Sequence, residues 1–367
     1  MTPTSARRRA AARDRRRVRA RAPVRICDLG GWTDCRFVPR GAVLNLTVDL
    51  YAHCLASSKN PLRLPVATYG YRAYKYEQDH SLTIQAPDMA GEDVEIAHVR
   101  DIEYDGTLDL LKAAVKRLGD PGGIEALVWA DAPPGCGVGS SAAVAVAVVA
   151  ALAALRDRPL AQHEIATIAQ SLETEELGLE CGVQDQYASA YGGICFMEVE
   201  YPRALVSSVP VREDVVRELE ERLLLVYTGQ SRLSDQVHRH VIESYASGEQ
   251  TVRDAMAALT RTPYAMREAL VRGDFPGMAE AINANWEAQK KLHPTITTDL
   301  IEKTFEIARK HGAAAGKANG AGGGGSVTLL VEPGREFSVR RALSEVPELT
   351  LLPCRLCFDG VRTWEVP

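Results

Sequence analysis

Between residues 23 and about 57, apolar and polar positions alternate, with turn signals at Gly30-Gly31 and at Pro39-Arg40-Gly41. That period-2 pattern predicts strands, and AVLNLTVDLYAHCLAS (42–57) reads as a strand or hairpin arm. TLDLLKAAVKRL (107–118) has helical spacing and stops at Gly119 and Pro121, and IEALVWADAP (124–133) is a short β-prone run ended by proline. PPGCGVGSSAAVAVAVVAAL (133–152) then runs from glycines and a serine pair into a segment apolar on every side, which predicts a buried helix. An amphipathic helix is predicted over 160–179, a further one from about Val183, and a strand over YGGICFMEVE (191–200). Composition then shifts. PVREDVVRELEERLLLVYTG (210–229) reads as a charged helix leading into a buried strand, and long helical stretches fill 232–291 and 298–312. The burst GAGGGG (320–325) reads as lying between a helix and the strand SVTLLVE. With strands and helices mixed rather than strictly alternating, and no internal repeat, the class is α+β, with a domain boundary near 205.

The 367 residues are enough for two domains and a sizeable core. The formal charge of −5 is uneven, because residues 1–21 carry nine arginines against one aspartate. A basic arm can contact nucleic acid, but this one has no aromatic or strongly apolar residue to anchor it. It therefore reads as a disordered, solvated extension over 1–20, and no nucleic-acid partner is expected. No run reaches transmembrane length and no apolar run follows the basic start, so a soluble, cytoplasmic protein without a membrane partner is expected. The eight cysteines are then expected to be free thiols. Cys354 and Cys357 form a lone CxxC with no second pair or histidines at ligand spacing, and read as structural.

A helix N-terminus offers backbone N–H groups without internal partners and the positive end of the helix dipole. Glycines before it let the backbone curl towards a ligand, so Gly135, Gly137 and Gly139 ahead of Ser140 and Ser141 make a candidate phosphate cradle. A close-packed helix entry would use the same glycines. A Walker A loop is excluded because no Gly-Lys-Ser/Thr occurs, and GCGVGS has the wrong spacing for a dinucleotide fingerprint. The second burst, at 320–325, is costly in chain entropy unless something approaches its backbone. Together the two loops suggest opposite walls of one phosphate cleft.

Three segments, RAPVRICDLGGWTDC (21–35), PPGCGVGSSAA (133–143) and KANGAGGGGSVTLL (317–330), taken in this order, resemble the GHMP kinase superfamily. CGVQDQYASAYGG (181–193), LLLVYTGQSR (223–232) and WEAQKK (286–291) are similar to its D-glycero-D-manno-heptose 7-phosphate kinase and L-fucokinase branch. The resemblance implies two domains, 21–205 and 206–367. The first would be a mixed sheet with helices and a left-handed βαβ unit, the second a ferredoxin-like α/β sandwich. It implies an ATP- and Mg²⁺-dependent kinase acting on a sugar or sugar phosphate, such as a heptose 7-phosphate, with the anomeric hydroxyl as acceptor; a homodimer is allowed. Kinases of L-fucose or galactose type, and a catalytically silent sugar sensor on the same fold, are the alternatives.

Carried over residue by residue, the resemblance makes Asp185 the catalytic base and Arg25 its neighbour at the transferred phosphoryl. An Asp at 185 would also serve as a helix cap. Ser141 and Glu173 would hold Mg²⁺, although Glu175 and Glu176 are close enough to compete for that part. Pro134, Gly135, Gly137, Gly139, Ser140, Ser141 and Ala142 would surround ATP. Asp34, Gly31, Trp32, Gly322, Gly323 and Arg232 would contact the acceptor. Gly31 and Trp32 stand where galactokinases have Glu-His, which argues against galactose. Lys317, Arg36 and Arg40 are further candidates for a distal phosphate. His238-Arg239-His240 reads as an exposed helix segment.

Overall fold

The computed structural model describes residues 15–60, 79–87, 93–118, 122–229 and 235–366. The first half comprises β1 (Arg17–Leu29), β2 (Gly41–Ser58), β3 (Leu82–Gln85), β4 (Val94–Ile96), α1 (Asp109–Leu118), β5 (Ile124–Ala130), α2 (Ser140–Leu155), α3 (Gln162–Ser171), α4 (Gln184–Tyr191), β6 (Ile194–Glu200) and β7 (Arg203–Ser208). The second comprises α5 (Glu213–Arg222), β8 (Leu223–Tyr227), α6 (Asp235–Ser247), α7 (Gln250–Arg272), α8 (Phe275–Lys290), α9 (Asp299–His311), β9 (Ala313–Ala318), β10 (Ser326–Val331), α10 (Glu336–Ser344), β11 (Thr350–Leu352) and β12 (Arg362–Glu365).

One sheet runs β12-β1-β2-β5-β3-β4, antiparallel except where β3 pairs with β5. The eighteen-residue β2 changes neighbour along its length: Gly41–Leu46 pairs with β6, which carries β7, and Ala52–Ser58 pairs with β5. The other sheet, β11-β8-β10-β9, is antiparallel throughout. With helices between β8 and β9 and between β10 and β11, this is the ferredoxin-like βαββαβ order. The mixed first sheet and this second one match the expected architecture. As its all-round apolar sequence predicts, α2 is buried on nearly every side, packing on β1 and β2 and among α1, α3 and α4. Its residues are mostly Ala and Val, which lets those neighbours come close to its backbone.

Three expectations need correction. The first concerns the arm. Residues 1–14 lie outside the described residues, but residues 17–20 are ordered as the start of β1, paired to both β2 and β12. The cause is a period-2 pattern hidden in an arginine-rich text. Val18, Ala20 and Ala22 turn inward and are buried, while Arg19 lies over Trp129 and Arg21 over the Tyr51 ring at 4.5 Å. The second concerns the boundary. β7 extends to Ser208, and the chain end returns as β12 to the edge of the first sheet, so 206–367 is not a self-contained unit. The third concerns the glycine burst, which links strand β9 to strand β10 and does not follow a helix directly.

Candidate active site

β1 delivers the first charged group. Arg25 is buried, and its backbone N–H bonds the Val138 carbonyl at 3.0 Å, which fixes the strand against the first glycine loop. Its guanidinium grips Asp185 with two bonds, Nε to Oδ1 at 2.8 Å and Nη2 to Oδ2 at 3.0 Å. Nη1 donates to the Gly137 carbonyl at 2.5 Å. Burial works to lower the Arg25 pKa, but the charges of Asp185, Asp28 and Asp34 more than offset it and hold the value above its ordinary range. Asp185 stands in the first turn of α4, two residues inside the N-cap Val183, with a partly open side chain.

After β1 the chain turns sharply. Thr33 closes the turn by donating from its N–H and Oγ1 to the Gly30 carbonyl, and Trp32 is held at φ 75°, a conformation rare for a bulky residue. Trp32 is thereby aimed into a cavity of about 210 Å³, its ring tilted on His238 with centroids 4.7 Å apart. Its indole Nε1 is buried without a partner, as is Gln184 Oε1 on the same wall. Asp34, also buried, accepts from the Gln184 N–H at 3.0 Å. Burial pushes its carboxyl up to about 6, aided by the Asp185 charge and opposed by the Gln184 bond. A Cβ at Gly182 would stand 2.0 Å from Asp34 Oδ2, and one at Gly31 would stand 2.9 Å from Asp28 Oδ2. No Glu could therefore replace Gly31 without displacing Asp28.

Glu173 is placed by a π-helical turn, Leu172–Glu176, that continues α3. Its Oε1 accepts from Ser141 Oγ at 3.2 Å, and Oε2 accepts from Gln186 Nε2 and from Cys181 Sγ. Burial, with Asp185 nearby, raises its pKa. Glu175 and Glu176 instead face Arg117, so the Ser141–Glu173 pair is the one brought together. Among the described residues no group of three or more His, Cys, Asp or Glu could hold a metal ion. Ser141 and Glu173 could therefore supply only part of a coordination shell, a pattern that suits Mg²⁺ bound chiefly through phosphates and water.

A second cavity, of about 640 Å³, lies across Ser141 and is lined by Leu108, Asp109, Asp131, Pro134, Gly135 and Ser140 among others. Ser141 lines both cavities. Ser140 Oγ is buried without a partner at the N-terminus of α2, where Gly139 (φ 73°) provides no side-chain cap.

Several expected contacts fall elsewhere. Gly139 and Ala142 line the first cavity, but Gly137 faces Asn319 and Gly320. Gly322 and Gly323 turn back onto Ile296, and Gly320 with Ala321 line the cavity in their place. The two glycine loops touch, with a Cβ at Gly320 falling 2.9 Å from the Gly137 carbonyl, and both contribute to the lining of the first cavity. Lys317 is fully buried against Asp28. Arg40 pairs with Glu200 on the surface, Arg36 lines a separate groove, and Arg232 lies outside the described residues. His238, expected to be exposed, packs on Trp32. Residues not anticipated include Asp28, Gln186, Cys181 and Asn319, which bonds the Cys27 N–H, Ser326 and Thr328. Asp28 stands inside the first motif and Gln186 one residue beyond the base, so position was their only signal; His238 had none.

Comparison with known proteins points the same way. The GHMP kinases N terminal domain matches residues 107–193 and the GHMP kinases C terminal domain matches 266–349. The chain is 28% identical over 358 residues to a D-glycero-alpha-D-manno-heptose 7-phosphate kinase of Campylobacter jejuni, covering 95% of this chain and 99% of that one. It is 28% identical to a bifunctional fucokinase/GDP-fucose pyrophosphorylase of Arabidopsis thaliana, over 91% of this chain and 32% of the relative. A crystal structure of a D-glycero-D-manno-heptose 1-phosphate kinase from Bacteroides thetaiotaomicron superposes with a TM-score of 0.75 at 27% identity, covering 95% of this chain and 99% of that one. Both domains match in order, and Arg25, Asp34, Ser141, Glu173 and Asp185 are gathered around one cavity: the chain carries the N-terminal and C-terminal domains of the GHMP kinases.

Proposed function

We propose that this sugar kinase transfers the γ-phosphoryl of ATP to the anomeric hydroxyl of a heptose 7-phosphate or a close homologue. The observation that carries the reading is the Arg25–Asp185 clamp beside Ser141, where the two cavities meet. The nucleotide would occupy the larger cavity with its phosphates at Ser140, Ser141 and the N-terminus of α2, where an unpartnered hydroxyl and uncapped backbone suit an anion. The acceptor would occupy the smaller one. Asp34 and Gln184 Oε1 would accept from its hydroxyls, and Trp32 Nε1 would donate to one of its oxygens.

Asp185 takes the proton of the attacking hydroxyl, and Arg25 aims that carboxylate and offers positive charge to the phosphoryl as it moves. Mg²⁺, held by Ser141 and Glu173, would neutralise charge on the ATP phosphates. The eight free cysteines support a reducing, cytoplasmic setting. No helix among the described residues is long and apolar enough to cross a membrane.

A neutral sugar such as a 6-deoxyhexose is favoured as second reading by the cavity's charge: Asp28, Asp34, Glu173, Glu180 and Asp185 line it with Arg25. The test is an ADP-release assay over neutral hexoses, heptoses and their terminal phosphates. Turnover on heptose phosphates alone supports the first reading and turnover on neutral sugars alone the second. Silence on every sugar, with MgATP bound, overturns both.

A further inference from the structure

The mechanism above uses Arg25 and Asp185 but leaves the most deeply buried ion pair of the site without a part. Asp28 on β1 and Lys317 on β9 are 1% and 0% exposed, with Nζ 2.8 Å from Oδ1. They join the two sheets directly behind Arg25. Asp28 Oδ1 also accepts from the Gly320 N–H at 3.1 Å and lies 3.9 Å from Arg25 Nη1, while Lys317 donates to the Ala318 carbonyl at 2.6 Å. Asp185, Arg25, Asp28 and Lys317 thus form a chain of alternating charge that runs from the cavity floor into the second domain.

Resting on the kinase reading, we infer that Asp28 and Lys317 are positioning residues that keep the Arg25 guanidinium on Asp185. Each inner charge has two neighbours of opposite sign, so each link depends on the next. Without the ammonium, Asp28 becomes a buried, uncompensated carboxylate whose nearest cation is Arg25, and the guanidinium is drawn off Asp185. Without the carboxylate, Lys317 and Arg25 are like charges facing each other across a dry gap. Lys317 is then a residue of the reaction geometry and is not a contact for a distal phosphate, since it is sealed from the cavity. Gly320 adds a second consequence. The same Asp28 oxygen pins the start of the second glycine loop, so the pair ties the cavity wall to the base.

The sign of the double substitution separates this role from a merely structural one. Removing one member of a buried pair leaves a stranded charge, whereas neutralising both leaves none. Asp28→Asn and Lys317→Met alone should each lower kcat about ten-fold or more, with KM for ATP nearly unchanged, because nucleotide contacts lie elsewhere. The combined Asp28→Asn/Lys317→Met variant should recover most of that loss. The ¹⁵N–¹H resonance of Arg25 Nε, which reports its bond to Asp185 without any substrate, should shift in each single variant and return in the double. That signal keeps the test independent of the acceptor: a wild type silent on every sugar would sink the kinase reading yet leave the resonance to judge the pair. Wild-type kcat and an unmoved resonance in either folded single variant would overturn the inference. So would a double variant that fails to fold or is no more active than the singles.

Discussion

The two glycine-rich turns that meet at this site have similar composition and opposite uses. In the turn around 320 four backbone donors are already taken: Asn319 N–H bonds Ser326, Gly320 N–H bonds Asp28, Gly323 N–H bonds Ile296 and Gly325 N–H bonds Gly229. Its glycines let two main chains touch, Gly320 against Gly137 and Gly325 against Cys136. The turn before α2 ends at an uncapped helix with the Ser140 hydroxyl buried and unpartnered. One turn holds the domains together and the other is left open for a ligand. Glycine content alone does not tell them apart; the fate of the hydrogen-bonding groups does.

The contrast can be broken or sharpened in order of expected effect. Asp185→Asn keeps the shape of the base and removes its charge, so turnover should fall by roughly two orders of magnitude or more while MgATP affinity holds. Near-normal turnover would make Asp185 a structural residue. Gly320→Ala puts a Cβ 2.9 Å from the Gly137 carbonyl at φ 64°. It should cost about 1–3 kcal/mol of apo stability, visible as a fall in melting temperature.

On sequence grounds a side chain at Gly137 or Gly139 would spare apo stability and weaken ATP. The structure changes that expectation. At Gly137 the Cβ meets the Asn319 carbonyl at 2.9 Å, so melting should fall there too. At Gly139 it meets the Asp185 carboxyl at 3.1 Å, so turnover should suffer before nucleotide affinity does. Ser141→Ala should raise the magnesium needed for half-maximal rate, because one of the two candidate ligands is gone.

Smaller in size is a pH effect carried by Asp34. Its folded value of about 6 lies above the ordinary carboxylate range. Ionising it therefore costs stability, a cost that grows as pH rises from about 4 to about 6 and is complete above. Catalysis should run the other way, with acceptor KM rising as pH falls through about 6. Asp34→Asn should remove the acceptor dependence and lessen that of stability, to which Glu173 also contributes. An acceptor KM independent of pH in the wild type would take Asp34 out of sugar binding.

Much of this was legible from the chain alone. The α2 segment announces its burial by having no polar face, and Arg25, Asp34 and Ser141 of the first two motifs, with Glu173 and Asp185 carried over from the resemblance, line one cavity. What stayed hidden depends on distant pairing. Nothing near Lys317 says that Asp28, on a strand of the other sheet, will neutralise it. Nor does anything near residue 238 say that its ring will meet Trp32. In the Arg17–Ala22 strand the run of arginines masks the alternation, which only the inward Val18 and Ala20 carry. The return of the chain end to the first sheet is equally hidden, because β12 contributes only four residues there.

The division of labour between the two turns is tested most directly by apo melting and MgATP titration of Ser140→Ala beside Gly320→Ala. Removing a buried hydroxyl with no partner should leave the apo melting temperature of Ser140→Ala equal or higher, while MgATP binds more weakly. Gly320→Ala should melt lower, with the folded protein binding MgATP about as the wild type does. The reverse pattern, a destabilised Ser140→Ala with unchanged affinity and a stable Gly320→Ala that has lost it, would contradict the assignment of the phosphates to the turn before α2.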